Sequence, residues 1–236
     1  MSLDPGADLV TLLRSVVDVE SVSGNEGQLA DLVEELLREQ EHLDVTRDGD
    51  CVVARTRLGR AQRVVIAGHL DTVPVAGNLP SSLEQTPAGV VIHGRGTVDM
   101  KGGVAVALKL ACELTQPRFD VTWVFYDHEE VDASLNGLGR FARKFPEQLS
   151  ADFAILMEPT SAQVEGGCQG TIRVRIPVKG KAAHSARAWM GYNAIHGLAE
   201  VLGRLAAYEP RRIEVDGLEY REGLNAVRIG GGVAGN

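Results

Sequence analysis

Aromatic residues are scarce in this sequence, with two Trp, four Tyr and five Phe making up 5% of 236 residues. A core built from it rests on Val, Leu and Ala rather than on stacked rings. Cysteine is scarcer still: Cys51, Cys112 and Cys168 are odd in number and far apart. That excludes a disulfide-stapled scaffold and a zinc knuckle, and it predicts reduced thiols in a cytoplasmic compartment. Basic residues are in deficit, 24 Lys plus Arg against 32 Asp plus Glu, for a formal charge of -8. No nucleic-acid partner is expected, because neutralising phosphates needs a basic face. There is no run of about 18 apolar residues, and the opening MSLDPGADL lacks a basic n-region. Neither a membrane partner nor a signal peptide is therefore expected.

What is present suits a folded body. The chain is 44% hydrophobic and 24% charged, enough for one ordinary domain or two small ones. Asp4 before Pro5 predicts a helix start, followed by Leu9, Leu12, Leu13, Val16 and Val17 on one face. Ser23 with Glu26 reads as a capping box opening a second helix, whose stripe is Leu29, Leu32, Val33, Leu36 and Leu37. After a strand near residues 51–56, three apolar strands follow: RVVIA at 63–67, VTWVFY at 121–126 and FAILM at 153–157. Helical runs lie between them, VAVALKLACEL and a segment with Leu138 and Phe141. This alternation predicts an α/β fold, a mixed and mainly parallel sheet flanked by helices.

The last third differs in texture. Residues 170–178 alternate Ile172, Val174 and Ile176 with Arg173 and Arg175, as a strand with one wet face does. A helix is expected from Tyr192 to Tyr208, then strands at Arg212–Val215 and Asn225–Gly230. Together these predict a second, smaller open-faced α/β domain, with the division near Gly166–Gly170, giving 1–168 and 169–236. The Gly-rich ending GGVAGN leaves this domain short of a helix and a strand, so both domains are expected to be incomplete in this chain.

Ligands of parallel sheets collect beyond the carboxyl ends of the strands. Here the first apolar strand ends in His69 and Asp71, the second in Glu129 and Glu130, the third in Glu158, while Asp99 sits in the Gly-rich turn before a helix. Taken singly, each has an ordinary explanation: a loop histidine, an aspartate bracing a turn, a solvated acidic pair. Brought together, they form a cluster that repels itself unless protonated or bridged by cations. Mixed imidazole and carboxylate donors suit zinc, manganese or cobalt better than calcium. Of two adjacent glutamates, one can hold a metal while the other moves a proton. His42, His93, His128 and His196 are left outside this site.

The stretches GHLDTVP, GRGTVDMKGG, YDHEEV with NGLGR, MEPT, AAHSARAWMGYNAI and EGLNAVRIGGG run from about residue 63 to the end. Across them the chain resembles the dinuclear zinc amidohydrolases of the carboxypeptidase and aminoacylase type. The resemblance implies two Zn2+ per complete subunit, with Co2+ an alternative. It implies that His69 and Glu158 hold one zinc, that Asp99 bridges, that Glu130 holds the second and that Glu129 is the general base. Asp71 stands behind His69. His184 matches a histidine that supports the oxyanion from the smaller, lid-like domain, and Asn225 and Arg187 match substrate-side positions there. A small N-acylated amino acid as substrate and a homodimer built through the lid are also implied. One departure is clear: the family closes its second metal site with a histidine for which this chain has no candidate. A non-catalytic scaffold is the contrasting reading, but it has no use for Glu129 beside Glu130. HGRG and the glycines after it lack phosphate-loop spacing.

Overall fold

The structure, a computed structural model, describes residues 2–167 and 169–232, in two units, Met1–Ala162 and Gln163–Asn236. In the first unit, helix α1 (Leu9–Val17) begins later than Asp4 and Pro5 led us to expect. Asp8 is the extended residue that can cap it, and its carboxylate accepts from the N–H groups of Val10 and Thr11; Asp4 instead accepts from Gly6 in a turn. Helix α2 (Gly27–Arg38) likewise starts after the expected capping box, and Glu26 makes no cap to it. Helix α2 buries its predicted stripe, Leu29, Leu32, Val33, Leu36 and Leu37, and α1 buries Leu12, Val16 and Val17 of its own, while Leu9 at its first turn stays exposed.

Strands β1 (Asp44–Asp48), β2 (Cys51–Arg55) and β3 (Arg63–His69) are followed by a hairpin of β4 (Ser82–Thr86) and β5 (Gly89–His93). Then come α3 (Lys101–Glu113), β6 (Asp120–Tyr126), α4 (Gly137–Lys144) and β7 (Phe153–Leu156). The main sheet has the order β1-β2-β6-β3-β7. β3 is parallel to both β6 and β7, whereas β2 is antiparallel to β1 and to β6. The sheet is therefore mixed, with parallel pairing confined to the half that carries the acidic strand ends. Helices cover both faces. Leu12, Leu29, Val33 and Leu108 pack with Trp123 and Phe125 on one side, and Phe141 with Val53, Val65 and Val124 on the other. β6, buried along its whole length, is the axis of the core, which is why it reads as an unbroken apolar run.

The second unit departs further from expectation. Helix α5 (Ala199–Ala206) follows a 3-10 turn at His196–Leu198, so the helical run is shorter than Tyr192–Tyr208. β8 (Arg212–Val215) pairs with β9 (Leu218–Arg221) across a tight turn. Neither 170–178 nor 225–230 is a strand. Alternation alone does not make a strand when no neighbour takes its N–H and C=O groups. Cys51 and Cys112 are free thiols; Cys168 lies outside the described residues, as do 233–236 of the Gly-rich ending. Among the described residues no helix is long and apolar enough to cross a membrane.

Candidate metal centre

Register explains why three strand ends meet. His69 is the last residue of β3, opposite Tyr126 of β6. On the other side Ala67 pairs with Leu156 of β7, so Glu158 lies beside His69, just past the strand end. Glu129 and Glu130 follow β6 by one short turn. Two glycines let the Asp99 turn close over them. A Cβ at Gly68 would stand 2.6 Å from the Met100 methyl, and one at Gly103 would stand 2.6 Å from the Met157 carbonyl oxygen. The first turn of α3 therefore packs directly on β3 and on Met157, the residue just past β7.

His69 is 1% exposed. Its Nδ1 is 2.9 Å from the carbonyl oxygen of Asp71, a group that only accepts, so Nδ1 carries a proton and Nε2 is the nitrogen turned toward the carboxylates. Nε2 in turn stands 3.2 Å from Asp99 Oδ1 and 3.9 Å from Glu158 Oε2. Three acceptors facing one another need a proton or a cation between them. Ligands about 2.0–2.1 Å from a tetrahedral zinc sit roughly 3.3 Å apart, close to this spacing. His69, Asp99 and Glu158 thus form one donor set, and His69, Glu129 and Glu130 form another, each with its atoms within 4.8 Å. Burial and the neighbouring carboxylates push Glu130 and Glu158 above the usual carboxylate range, against the opposing pull of His69. The donor set fits a metal ion: it is an excess of negative charge around one imidazole whose free nitrogen already points at it.

Asp71 does more than stand behind the histidine. Its carboxylate, fully buried, is 3.6 Å from His69 Nδ1, but its shorter bonds go elsewhere. Oδ1 accepts from the Glu129 N–H at 2.9 Å and Oδ2 from the Glu130 N–H at 3.0 Å, and Ser23 Oγ donates to Oδ2 at 2.7 Å. The aspartate therefore ties the histidine strand to the glutamate turn. Lys101, which no sequence pattern flagged, is 1% exposed and donates from Nζ to the Val19 carbonyl at 2.7 Å. Burial brings its pKa down to about 8, and its stem anchors the Asp99 turn to the end of α1. Only its place inside an otherwise apolar helix face marks it in the sequence.

The remaining predicted residues lie in the second unit. His184 caps the 3-10 segment Ser185–Met190, its Nδ1 accepting from the Ala186 N–H at 3.1 Å. Arg187 and Asn225 are exposed.

The family model described as Peptidase family M20/M25/M40 matches residues 65–226. The chain belongs to that family. It is 54% identical over 235 residues to a Mycobacterium tuberculosis protein provisionally named as the succinyl-diaminopimelate desuccinylase DapE, covering 99% of this chain and 65% of that one. A succinyl-diaminopimelate desuccinylase of Corynebacterium glutamicum is 45% identical over 243 residues, again covering 99% and 65%. The chain thus spans about 65% of the length of these curated relatives. A tripeptidase from Staphylococcus aureus shares the fold, with a TM-score of 0.60 at 17% identity over 92% of this chain and 63% of that one.

Proposed function

We propose that this chain carries the metal centre of an amide hydrolase, a desuccinylase that splits N-succinyl-LL-2,6-diaminopimelate into succinate and LL-2,6-diaminopimelate. The observation that carries the reading is 54% identity along 99% of the chain, with the family's acidic motifs meeting at one buried imidazole. His69, Asp99 and Glu158 would hold one zinc, and Asp99 and Glu130 would serve the second. When bound, the pair polarises the scissile carbonyl and lowers the pKa of water.

The chain's own residues do the proton work. Water adds its oxygen to the carbonyl carbon, and the Glu129 carboxylate takes the proton released. The same proton passes to the amine nitrogen as the C–N bond breaks, returning Glu129 to its starting state. Glu129 suits this part: its side chain is exposed while its backbone is held by Asp71. His184 accepts at Nδ1, so its Nε2 is the donor left for a developing oxyanion, which we assign to it across a homodimer formed through the second unit. Arg187 and Asn225 face the substrate in this reading, and the enzyme works in the cytoplasm.

The test is a substrate panel on the zinc-loaded full-length protein, measuring kcat/KM for succinyl, acetyl and dipeptide substrates. The highest value should fall on the succinyl compound. A higher value for an N-acetyl amino acid or a dipeptide would move the substrate class and keep the hydrolase; no turnover of any would end the reading.

A further inference from the structure

The residues that look like a capping box in the sequence are spent on something else. Ser23 and Glu26 are placed to open α2, yet that helix begins at Gly27 with no side-chain cap from Glu26. The Glu26 carboxylate is wholly buried. One oxygen accepts from the Gly24 N–H at 2.8 Å, and the other accepts from the N–H of His128 at 3.2 Å. Ser23 Oγ donates at 2.7 Å to the Asp71 oxygen that also receives the Glu130 N–H. The segment itself is stitched to the strand end, with the Ser23 N–H donating to the Thr72 carbonyl and the Thr72 N–H to the Ser21 carbonyl. Three consecutive N–H groups, those of residues 128, 129 and 130, are thus held by side chains that Ser23 and Glu26 supply or orient.

The gripped turn needs holding. His128 has φ +58°, a left-handed backbone that a non-glycine residue adopts at a cost. Its ring Nδ1 is 2.7 Å from Asp127, whose carboxylate also pairs with Arg140. One carboxylate on each side therefore fixes the turn, Asp127 from within and Glu26 from the residue just ahead of α2. A buried carboxylate whose acceptor sites are spent on backbone donors is costly to maintain unless those bonds are made.

We infer that Ser23 and Glu26 are positioning residues for the Glu129–Glu130 turn, setting where the proton-transfer carboxylate and the second metal's ligand stand. The inference rests on the hydrolase reading for what those glutamates do, and on geometry alone for how they are held. Groups that orient metal ligands from outside typically change activity or metal affinity by about 10- to 100-fold when lost.

The test uses the full protein with four variants: Ser23→Ala, Ser23→Thr, Glu26→Gln and Glu26→Ala. Three quantities are read: kcat and KM, zinc retained per chain against a competing chelator, and hydrogen exchange of the 128–130 amides in metal-free protein. Ser23→Ala should lower kcat about tenfold with KM within about twofold and speed exchange at residues 129 and 130. Ser23→Thr, which keeps the hydroxyl, should restore both. Glu26→Gln and Glu26→Ala should speed exchange at 128 and make one of two zincs easier to strip. Wild-type exchange and zinc retention in Ser23→Ala and Glu26→Gln would overturn the inference, as would Ser23→Thr failing like Ser23→Ala. If the Glu26 variants do not fold, the Ser23 pair decides. A wild-type protein that turns over no amide substrate sinks the hydrolase reading instead, and the exchange and zinc measurements still judge the clamp.

Discussion

Leu108, Trp123 and Phe141 of the first unit are sealed within its core, whereas Ile172, Val174 and Trp189 of the second remain 88%, 77% and 80% exposed. Both sets follow ordinary apolar patterns. The first set has helices on both faces of a five-stranded sheet to pack against; among the described residues of the second unit one α-helix, short 3-10 turns and one hairpin enclose little. Apolar pattern is a demand for a partner surface, and burial follows only where the fold supplies one. The chemistry follows the same division. Every candidate metal ligand stands near a strand end or helix start of the sealed unit, and they gather around the one that is itself buried, His69.

The comparison is tested most severely by removing metal. If the first unit alone supplies the ligands, chelation should abolish amide hydrolysis and zinc or cobalt should restore it; full turnover by metal-stripped protein, verified by metal analysis, would break the assignment. Next in size is the glutamate pair. In the full-length protein Glu129→Gln should keep both metals and lower kcat by at least about 10²-fold, while Glu130→Gln should lose one. The two donor sets share His69, and one contains Glu129, so a Glu129→Gln protein that sheds metal would show the roles to be exchanged.

His184 is where the second unit enters. His184→Ala should reduce kcat by about 10²–10³-fold with metal content unchanged, as the loss of an oxyanion donor does. Mixing that variant with Glu129→Gln should return partial activity if the donor acts across a dimer; no rescue after proven subunit exchange would put His184 within its own chain or outside the reaction. Smaller still is the contrast in stability. Leu108→Ala should cost about 2–5 kcal/mol by leaving a cavity, and Ile172→Ala should stay within about 0.5 kcal/mol. Denaturant unfolding of both variants measures this, and equal losses would mean that the second unit has a core of its own.

The finest effect is a pH slope in metal-free protein. Burial and neighbouring carboxylates raise Glu158 above 4.5, the ordinary value for glutamate. The native state then binds more protons than the unfolded chain, so this group's contribution is full below 4.5 and is lost as pH rises through its raised value. Metal-free Glu158→Gln should therefore gain on the wild type as pH rises above 4.5, and bound zinc should erase the gain. Melting temperatures across that range provide the measurement.

Much of the site was legible because its residues are of unusual types at strand ends. The helix between them was readable from periodicity, and the core strands from unbroken apolar runs such as 121–126. Helix starts were less legible: Asp4 and Ser23 both carry capping chemistry, yet Asp8 caps α1 and Ser23 bonds Asp71. A short polar side chain satisfies whichever donor or acceptor the fold brings near, and sequence spacing names only the local candidates. The β4–β5 hairpin went unseen because its alternation is weak and its faces are largely exposed.

By itself the sequence determined the chemistry available and the order in which it arrives: an imidazole, an aspartate in a turn, a glutamate pair and a last glutamate, each after an apolar run or a glycine-rich turn. Residue type and periodicity are local properties, and they survive without coordinates. Only the tertiary structure decided that β3 lies between β6 and β7, which puts His69 at the centre of the cluster. It alone showed the Asp71 carboxylate holding two backbone N–H groups, and a buried glutamate reaching a turn far along the chain. Those contacts join residues distant in sequence, and strand order and hydrogen-bond partners are settled by which surfaces pack together, a choice no local pattern contains.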